Sequence, residues 1–569
     1  MENFFLDNED ILFQLEHIDL DRVIAYREDN FSEADLYPHA PTDVSDAMDS
    51  YRKVLAIIGE ICGETLEPQA AEIDEIGAQL IDGEVEYAPG TKEVQDMFAQ
   101  ADLMGFCMPR KYGGLNFPTT MLTIAGEIVA RADASFLNFG LQQDIGETIN
   151  KFASDDQKAD VLPKLCSGEY GSSMILTEPD AGSDLQAVNL RATQDENGNW
   201  VLNGVKRFIT NGNGKVGLVL ARSEDGQTGA RGLSFFLYKR DKHMKIRRIE
   251  HKLGIHGSPT CELQFNNAPA TLVGERRRGL TKYTMWLMNS ARLGIASQAL
   301  GIAEAAYREA DKYARERIQF GSPVRVLPPV YEMLTEMRVA IEAGRTLLYE
   351  TAKIVDLKEG LEHMSEKYPE RKAEFKSDLK KYSRLANLFT PMIKAYNTEI
   401  ANKVSYDALQ IHGGTGYMQE FNVERHYRDA RITNIYEGTT QLQIVAAIGG
   451  VTSGTATSIL DEYDSEEYDY APDLLKKVRK ARLDFDKALI SVRETDDESF
   501  TTFHSRRLVE MATDLVQAYL LLRDGEFSER KLKIAEIFIE KMQTRVHMHM
   551  HYIYDGGSTF LKNYRDVIG

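Results

Sequence analysis

The sequence predicts a mainly α protein with a central antiparallel β domain. The expected parts are a helical N-domain, an antiparallel β middle domain, a helical-bundle C-domain and an additional C-terminal helical domain. Three observations carry this expectation. Apolar residues recur at spacings of three and four on both sides of the middle of the chain. Between Met174 and about Leu280 the texture changes to short β-prone runs separated by Asn-Gly dipeptides. And 569 residues suffice for roughly three to five folding units.

Taken in order, residues 1–45 read as a polar N-terminal arm with short apolar runs at Ile11–Leu15 and Val23–Tyr26 and with Pro38 and Pro41. Residues 46–172 read as the helical N-terminal domain. There Val54, Ile57, Ile58, Ile61 and Cys62 recur at helical spacing, and Val94, Met97, Phe98 and Ala101 repeat the pattern. Residues 173–281 form the expected central β domain: Asn197-Gly198, Asn203-Gly204 and Asn211-Gly212 separate runs such as Trp200–Leu202, Leu218–Ala221 and Leu233–Tyr238. Strands do not alternate with helices, which disfavours a doubly wound parallel sheet. Residues 282–452 return to helical periodicity, with Ala291–Tyr313 rich in Ala, Leu and Ile. Residues 355–383, charged and interrupted by Pro369, read as an exposed helical hairpin or loop. Asp461–Tyr470 has six acidic residues in ten, so residues 453–472 read as an acidic linker, and 473–569 as a helical C-terminal extension.

Composition narrows the function classes. Apolar residues at 43% and charged residues at 27% exclude wholesale disorder. Lys+Arg 67 against Asp+Glu 88 gives a net charge of −21, which disfavours nucleic acid or an anionic membrane surface as partner. Cys62, Cys107, Cys166 and Cys261 are far apart and fit a reducing compartment. The start, MENFFLDNED, is acidic where a targeting peptide would be basic, and no run approaches the ~20 apolar residues of a membrane span. A soluble, cytoplasmic protein with no integral membrane segment is expected.

Five segments carry chemistry. In MILTEPDAGSD (Met174–Asp184) a Gly/Ser turn follows an apolar strand and offers backbone N–H groups and a hydroxyl to an anion. KRFITNG (Lys206–Gly212) joins an aromatic to a Thr. In RERIQFGSPV (Arg315–Val324) an Arg-rich helix is expected to end at Gly321 and Pro323. QIHGGTGY (Gln410–Tyr417) has three glycines in four positions, permitting close approach to a flat ligand. In RDARITNIYEGTTQLQ (Arg428–Gln443) a lone Glu437 precedes Gly438-Thr439 at the start of a helix. Each segment alone reads as an ordinary turn or cap.

Together, in this order and spacing over roughly residues 50–450, they resemble the acyl-CoA dehydrogenase family, closest to its long bacterial members with an extra helical C-terminal domain. The resemblance implies a β-barrel-like middle domain, a four-helix-bundle C-domain and FAD as cofactor. Leu176 and Thr177 would lie near the flavin pyrimidine edge, and Ser183 near the diphosphate and CoA. Phe208 and Thr210 match the family's aromatic–x–Thr motif, with Phe208 where Trp is usual, keeping the ring and losing the indole N–H. Arg317, Phe320, Gln410, Gly413 and Gly414 match positions reaching the FAD of a neighbouring subunit, and Thr439 and Gln441 complete the contacts.

The implied reaction is α,β-dehydrogenation of an acyl-CoA thioester to the 2-enoyl-CoA, as in fatty acid β-oxidation, with electrons passed to an electron-transferring flavoprotein. Glu437 would be the α-proton base, and the β hydride would go to flavin N5. Glu437's own backbone N–H and an FAD ribityl hydroxyl would be the donors at the thioester oxygen. Some family branches place the base just before the arginine matched by Arg292, but that position here is Ala291, which cannot titrate. Arg292 would organise the site electrostatically, and Ser183, Asn289, Arg292 and Gly438 would meet the substrate. Burial beneath flavin and acyl chain is expected to outweigh the helix N-terminus in setting the Glu437 pKa.

The alternative within the family is an acyl-CoA oxidase delivering electrons to O₂. A DNA-binding relative is disfavoured, because residues 451–569 hold 17 Lys+Arg against 22 Asp+Glu. A homodimer is favoured over a tetramer, since in relatives the extension covers the face where dimers would meet. His547, His549 and His551 are read as no metal site, because only His547 and His551 share a helix face. His412 is read as ordering its loop. Trp286 and Met288 could line an acyl pocket or the core, and Gly140 in the Leu137–Gly146 segment suggests a roomy cavity.

Overall fold

Asp43 opens the first long helix, Val44–Ile61, by accepting a hydrogen bond from the Asp46 amide. The buried stripe of that helix is Ala47, Tyr51, Leu55 and Ile58, running on to Cys62. The expected stripe is therefore rotated: Ile57 is exposed and Val54 only half-buried, because the bulkier Tyr51 and Leu55 set the face. The second expected repeat does bury Val94 and Phe98.

The computed structural model describes residues 2–556 and 558–569. The chain folds as two units. The first comprises Met1–Glu9, Arg27–Ala305 and Tyr417–Thr433, and the second Asp10–Tyr26, Ala306–Gly416 and Asn434–Gly569.

The first unit joins N-terminal helices to the β domain. Its strands are β1 (Gln79–Ile81), β2 (Glu84–Glu86), β3 (Ser172–Ile175), β4 (Arg191–Gln194), β5 (Trp200–Thr210), β6 (Val216–Arg222), β7 (Leu233–Lys239), β8 (Met244–Ile249) and β9 (Thr260–Leu272). β1 and β2 form a separate hairpin. The main sheet runs β3-β6-β4-β5-β9-β7, with β8 on β9, and β7 pairs back to β6. That last pairing closes the sheet around Leu202, Ile209, Val219, Phe236, Tyr238, Leu263 and Phe265. One detail departs from a purely antiparallel unit: β3 lies parallel to β6, and β4 meets β6 in parallel at Arg191–Arg222.

The second unit is helical. Pro328–Lys367 and Lys372–His412 pack as a hairpin turned at Pro369–Arg371, each roughly 60 Å long at 1.5 Å per residue. Thr440–Thr452 packs against Lys372–His412 and against Glu498–Phe527, one of three long helices of the extension with Pro472–Thr495 and Glu529–His551.

Two expectations are corrected here. The supposed acidic linker carries the helix Thr455–Asp464 and buries Ile459, Leu460, Tyr463 and Tyr468, because its tyrosines alternate with its acids and turn inward. The polar arm is likewise packed. Within the second unit Asp10 is held by Arg338 at 3.0 Å, Arg530 at 2.6 Å and Lys531 at 2.7 Å, and Lys531 also pairs with Glu342, which is 3.2 Å from Arg345. Burial works to raise the Asp10 carboxyl, but its hydrogen bond with Glu342 and the charges of Lys531 and Arg345 bring it well below the usual carboxylate range. Burial pushes Glu342 up to about 7. Among the described residues, no single helix is long and apolar enough to cross a membrane.

Candidate active site

In the first unit, β3 ends at Ile175 and the chain turns through a reciprocal pair of backbone hydrogen bonds between Glu178 and Ala181. Leu176 is buried, Thr177 half-buried and Ser183 exposed. Beneath this turn the fully buried Lys206 donates to the Leu176 carbonyl at 2.7 Å and pairs with Glu178 at 3.0 Å. Burial pulls the Lys206 ammonium down to about 8. Glu178 in turn accepts from the amides of Asn189 and Leu190.

The β5–β9 register breaks between Lys206 and Ile209, and Phe208 sits in that bulge with φ +58. Left-handed backbone costs a residue with a β-carbon roughly 1–2 kcal/mol, and a bulge re-aims a side chain. The outcome is a phenyl ring 52% exposed, with the Arg207 guanidinium 4.7 Å from its centroid. Thr210 closes the strand opposite Thr260. On the helix Met285–Glu316, buried Arg292 donates to Asn289 Oδ1 at 2.9 Å. Trp286 is half-buried and meets Phe152 edge-on at 5.6 Å. The roominess expected at Gly140 is corrected: a Cβ there would lie 2.2 Å from the Phe136 ring, which fills the space the glycine leaves.

In the second unit, the Arg-rich segment is not a helix running to Gly321. The helix stops at Glu316, and Ile318–Gln319 pairs with Ser322–Pro323 around a two-residue turn with φ +52 at Phe320 and +83 at Gly321. Two successive positive φ values define the type I′ hairpin, which places Phe320 at 93% exposure beside exposed Arg317. Gln410, Gly413 and Gly414 are exposed at the end of Lys372–His412. Gly413 has φ +61, and added Cβ atoms at 413 and 414 would meet nothing within 4 Å. Packing within the chain therefore does not require these two residues to lack side chains. His412 behind them is buried, stacks on Tyr313 at 4.4 Å and bonds the Ala408 carbonyl at 2.8 Å, and burial lowers its pKa.

Glu437 is half-buried with φ +53, and Gly438 follows with φ +91. Thr439 then caps the helix Thr440–Thr452, its hydroxyl accepting from the Leu442 amide at 3.4 Å, and Gln441 is exposed in the first turn. Lys394, fully buried, donates to the Gly438 carbonyl at 2.7 Å. Gln443 donates to the same oxygen at 2.9 Å and to the Glu437 carbonyl at 3.3 Å. Thr440 and Asn434 both donate to Glu399. Sequence reasoning missed Lys394 and Gln443. A lysine amid the apolar run of Lys372–His412 was the one available pointer to the first.

Each of the three C-terminal histidines pairs with a different carboxylate: His547 with Asp484, His549 with Glu510 and His551 with Asp555. Among the described residues, no group of three His, Cys, Asp or Glu could hold a metal ion.

The sites lie in segments that match known families. Residues 49–169 match the acyl-CoA dehydrogenase N-terminal domain, 173–268 the middle domain, 278–448 the C-terminal domain and 452–556 the family described as acyl-CoA dehydrogenase C terminal. A 3-methylmercaptopropionyl-CoA dehydrogenase of Ruegeria pomeroyi is 37% identical over 428 residues, covering 71% of this chain and 70% of its own. The butyryl-CoA dehydrogenase structure from Megasphaera elsdenii is 30% identical with a TM-score of 0.60, covering 71% of this chain and 98% of that one. An acyl-CoA dehydrogenase complexed with FAD from Bacillus anthracis, 20% identical, shares the fold with a TM-score of 0.75 over 89% of this chain and 88% of that chain.

Proposed function

The chain belongs to the acyl-CoA dehydrogenase family, FAD-dependent oxidoreductases acting on CH–CH bonds; from that premise we propose that it desaturates an acyl-CoA thioester between Cα and Cβ, with Glu437 taking the α proton. The observation that carries the assignment is the Glu437–Gly438 bend. A half-buried carboxylate is held in strained backbone ahead of a helix N-cap, and the position just before Arg292 in sequence, in which other branches carry the base, is Ala291.

The residues present fit FAD. Phe208 offers an exposed ring on a bulge, Thr210 a hydroxyl beside it, and Leu176 and Thr177 a strand end backed by Lys206. Ser183 offers a hydroxyl to the diphosphate. Arg317, Phe320, Gln410, Gly413 and Gly414 would meet the FAD of a second subunit, and Thr439 and Gln441 would add contacts. Exposed Phe320 and the uncrowded glycines favour that reading. Bound FAD supplies the acceptor for the β hydride.

The chain's own residues do the rest. Glu437 takes the α proton as charge moves onto the thioester oxygen, where its backbone N–H donates. Arg292 and Asn289, joined to each other, orient substrate together with Ser183 and Gly438. An electron-transferring flavoprotein is the proposed acceptor beyond FAD, and the proposed assembly is a homodimer. The proposed setting is the cytoplasm.

Glu437→Gln tests the base. The variant should retain FAD and acyl-CoA binding but lose substrate-driven bleaching of the flavin under anaerobic conditions. Bleaching at the wild-type rate would remove Glu437 from the role.

A further inference from the structure

Lys394 has no role in the reaction as described so far, yet its ammonium is completely buried and ends on the backbone of the residue after Glu437. Burying a cation is costly, so a lysine in a helix interior is an expensive choice unless its charge is used. Here the ammonium donates to a backbone carbonyl of the turn that carries Glu437. Gly438 O accepts from Lys394 Nζ at 2.7 Å and from Gln443 Nε2 at 2.9 Å, and Gln443 reaches the Glu437 carbonyl as well. The carbonyls so held belong to the two consecutive positive-φ residues, +53 and +91. Nothing in local propensity favours that conformation at a glutamate.

We propose that Lys394 and Gln443 form a clamp that positions Glu437 for proton abstraction, with the charge of Lys394 as its main element. The inference rests on the reading of Glu437 as the base. Charge-assisted bonds are stronger than neutral ones, and two donors converging on one oxygen fix its direction as well as its distance. Because the peptides are trans, holding the carbonyls of Glu437 and Gly438 toward Lys394 and Gln443 turns the amides of Gly438 and Thr439 the opposite way. One clamp therefore fixes both peptides that follow the carboxylate-bearing residue. Lys394 and Gln443 are positioning residues, since they act through the turn and not on the reacting atoms.

The clamp predicts a division between rate and binding. Lys394→Met fills the same slot without the charge, and Gln443→Leu removes the neutral donor. In the FAD-loaded protein each should lower the anaerobic bleaching rate, by tenfold or more for Lys394→Met and by less for Gln443→Leu. FAD content and the dissociation constant for acyl-CoA should stay near wild type. With α-deuterated acyl-CoA the isotope effect on bleaching should grow in Lys394→Met, because proton abstraction becomes more fully rate-limiting. A merely structural role would lower FAD content and affinity along with rate and leave the isotope effect alone, which would overturn the proposal. If Lys394→Met does not fold, Gln443→Leu decides by the same division. Glu437→Gln, run in parallel, separates the two readings. Should it bleach normally, the base assignment fails and the clamp with it; should it be inert while the clamp variants bleach normally, only the clamp is wrong.

Discussion

Phe208, Phe320 and Glu437 share a property that propensity tables penalise: each carries a side chain on left-handed backbone, at φ +58, +52 and +53. Each is also a position that motif matching singled out for cofactor or catalysis. Strain at such places persists only where the surroundings enforce it. For Phe208 the enforcing element is the β5–β9 bulge, and for Glu437 it is the pair Lys394 and Gln443. Phe208→Gly should therefore stabilise the FAD-free protein, by up to about 1 kcal/mol, while lowering its capacity to retain FAD. Thermal unfolding of the FAD-free form and the flavin-to-protein ratio after gel filtration measure the two effects. Identity was legible at this scale, because KRFITNG and IYEGTTQ are written in the chain. Conformation was not, because a bulge is a property of the register between two strands about fifty residues apart.

Elements were legible where one surface decided them. The long helices and the hairpin at Pro369 follow from apolar spacing and a proline. They were misread where a second surface intervened. The Arg-rich segment after Glu316 looked helical, but Phe320-Gly321 takes an I′ turn and closes a hairpin instead. The acidic run looked like a linker because charge was counted and tyrosine was not. The helix Glu529–His551 gives the sharpest test at this scale. It presents Lys531, almost wholly buried, to both Asp10 and Glu342. Removing one partner of a buried ion cluster leaves an uncompensated charge, so Lys531→Met should cost about 3–5 kcal/mol. Denaturant unfolding of the second unit, followed by far-UV circular dichroism, measures it. A loss below 1 kcal/mol would show that water already reaches the cluster.

At the scale of the whole molecule, order along the chain and membership of a unit diverge. The backbone enters the second unit at Asp10, leaves it at Arg27, returns at Ala306, leaves again for Tyr417–Thr433 and comes back at Asn434. The sequence predicted domains as consecutive blocks, because periodicity is local and long-range pairing leaves no local trace. The proposed homodimer gives this scale its prediction: sedimentation should return twice the 64.2 kDa chain mass, and twice that value again would identify a tetramer.

Asp10 and Lys531 lie 521 positions apart and meet at 2.7 Å in the interior of one unit. A nascent polypeptide therefore carries the Asp10 carboxylate for nearly the full duration of its synthesis before Arg530 and Lys531 join Arg338 against it. Fragments that stop short of the 529–551 helix would keep Arg338 against that acid but lack Arg530 and Lys531. The interior of this unit is therefore complete only when both ends of the polypeptide are present.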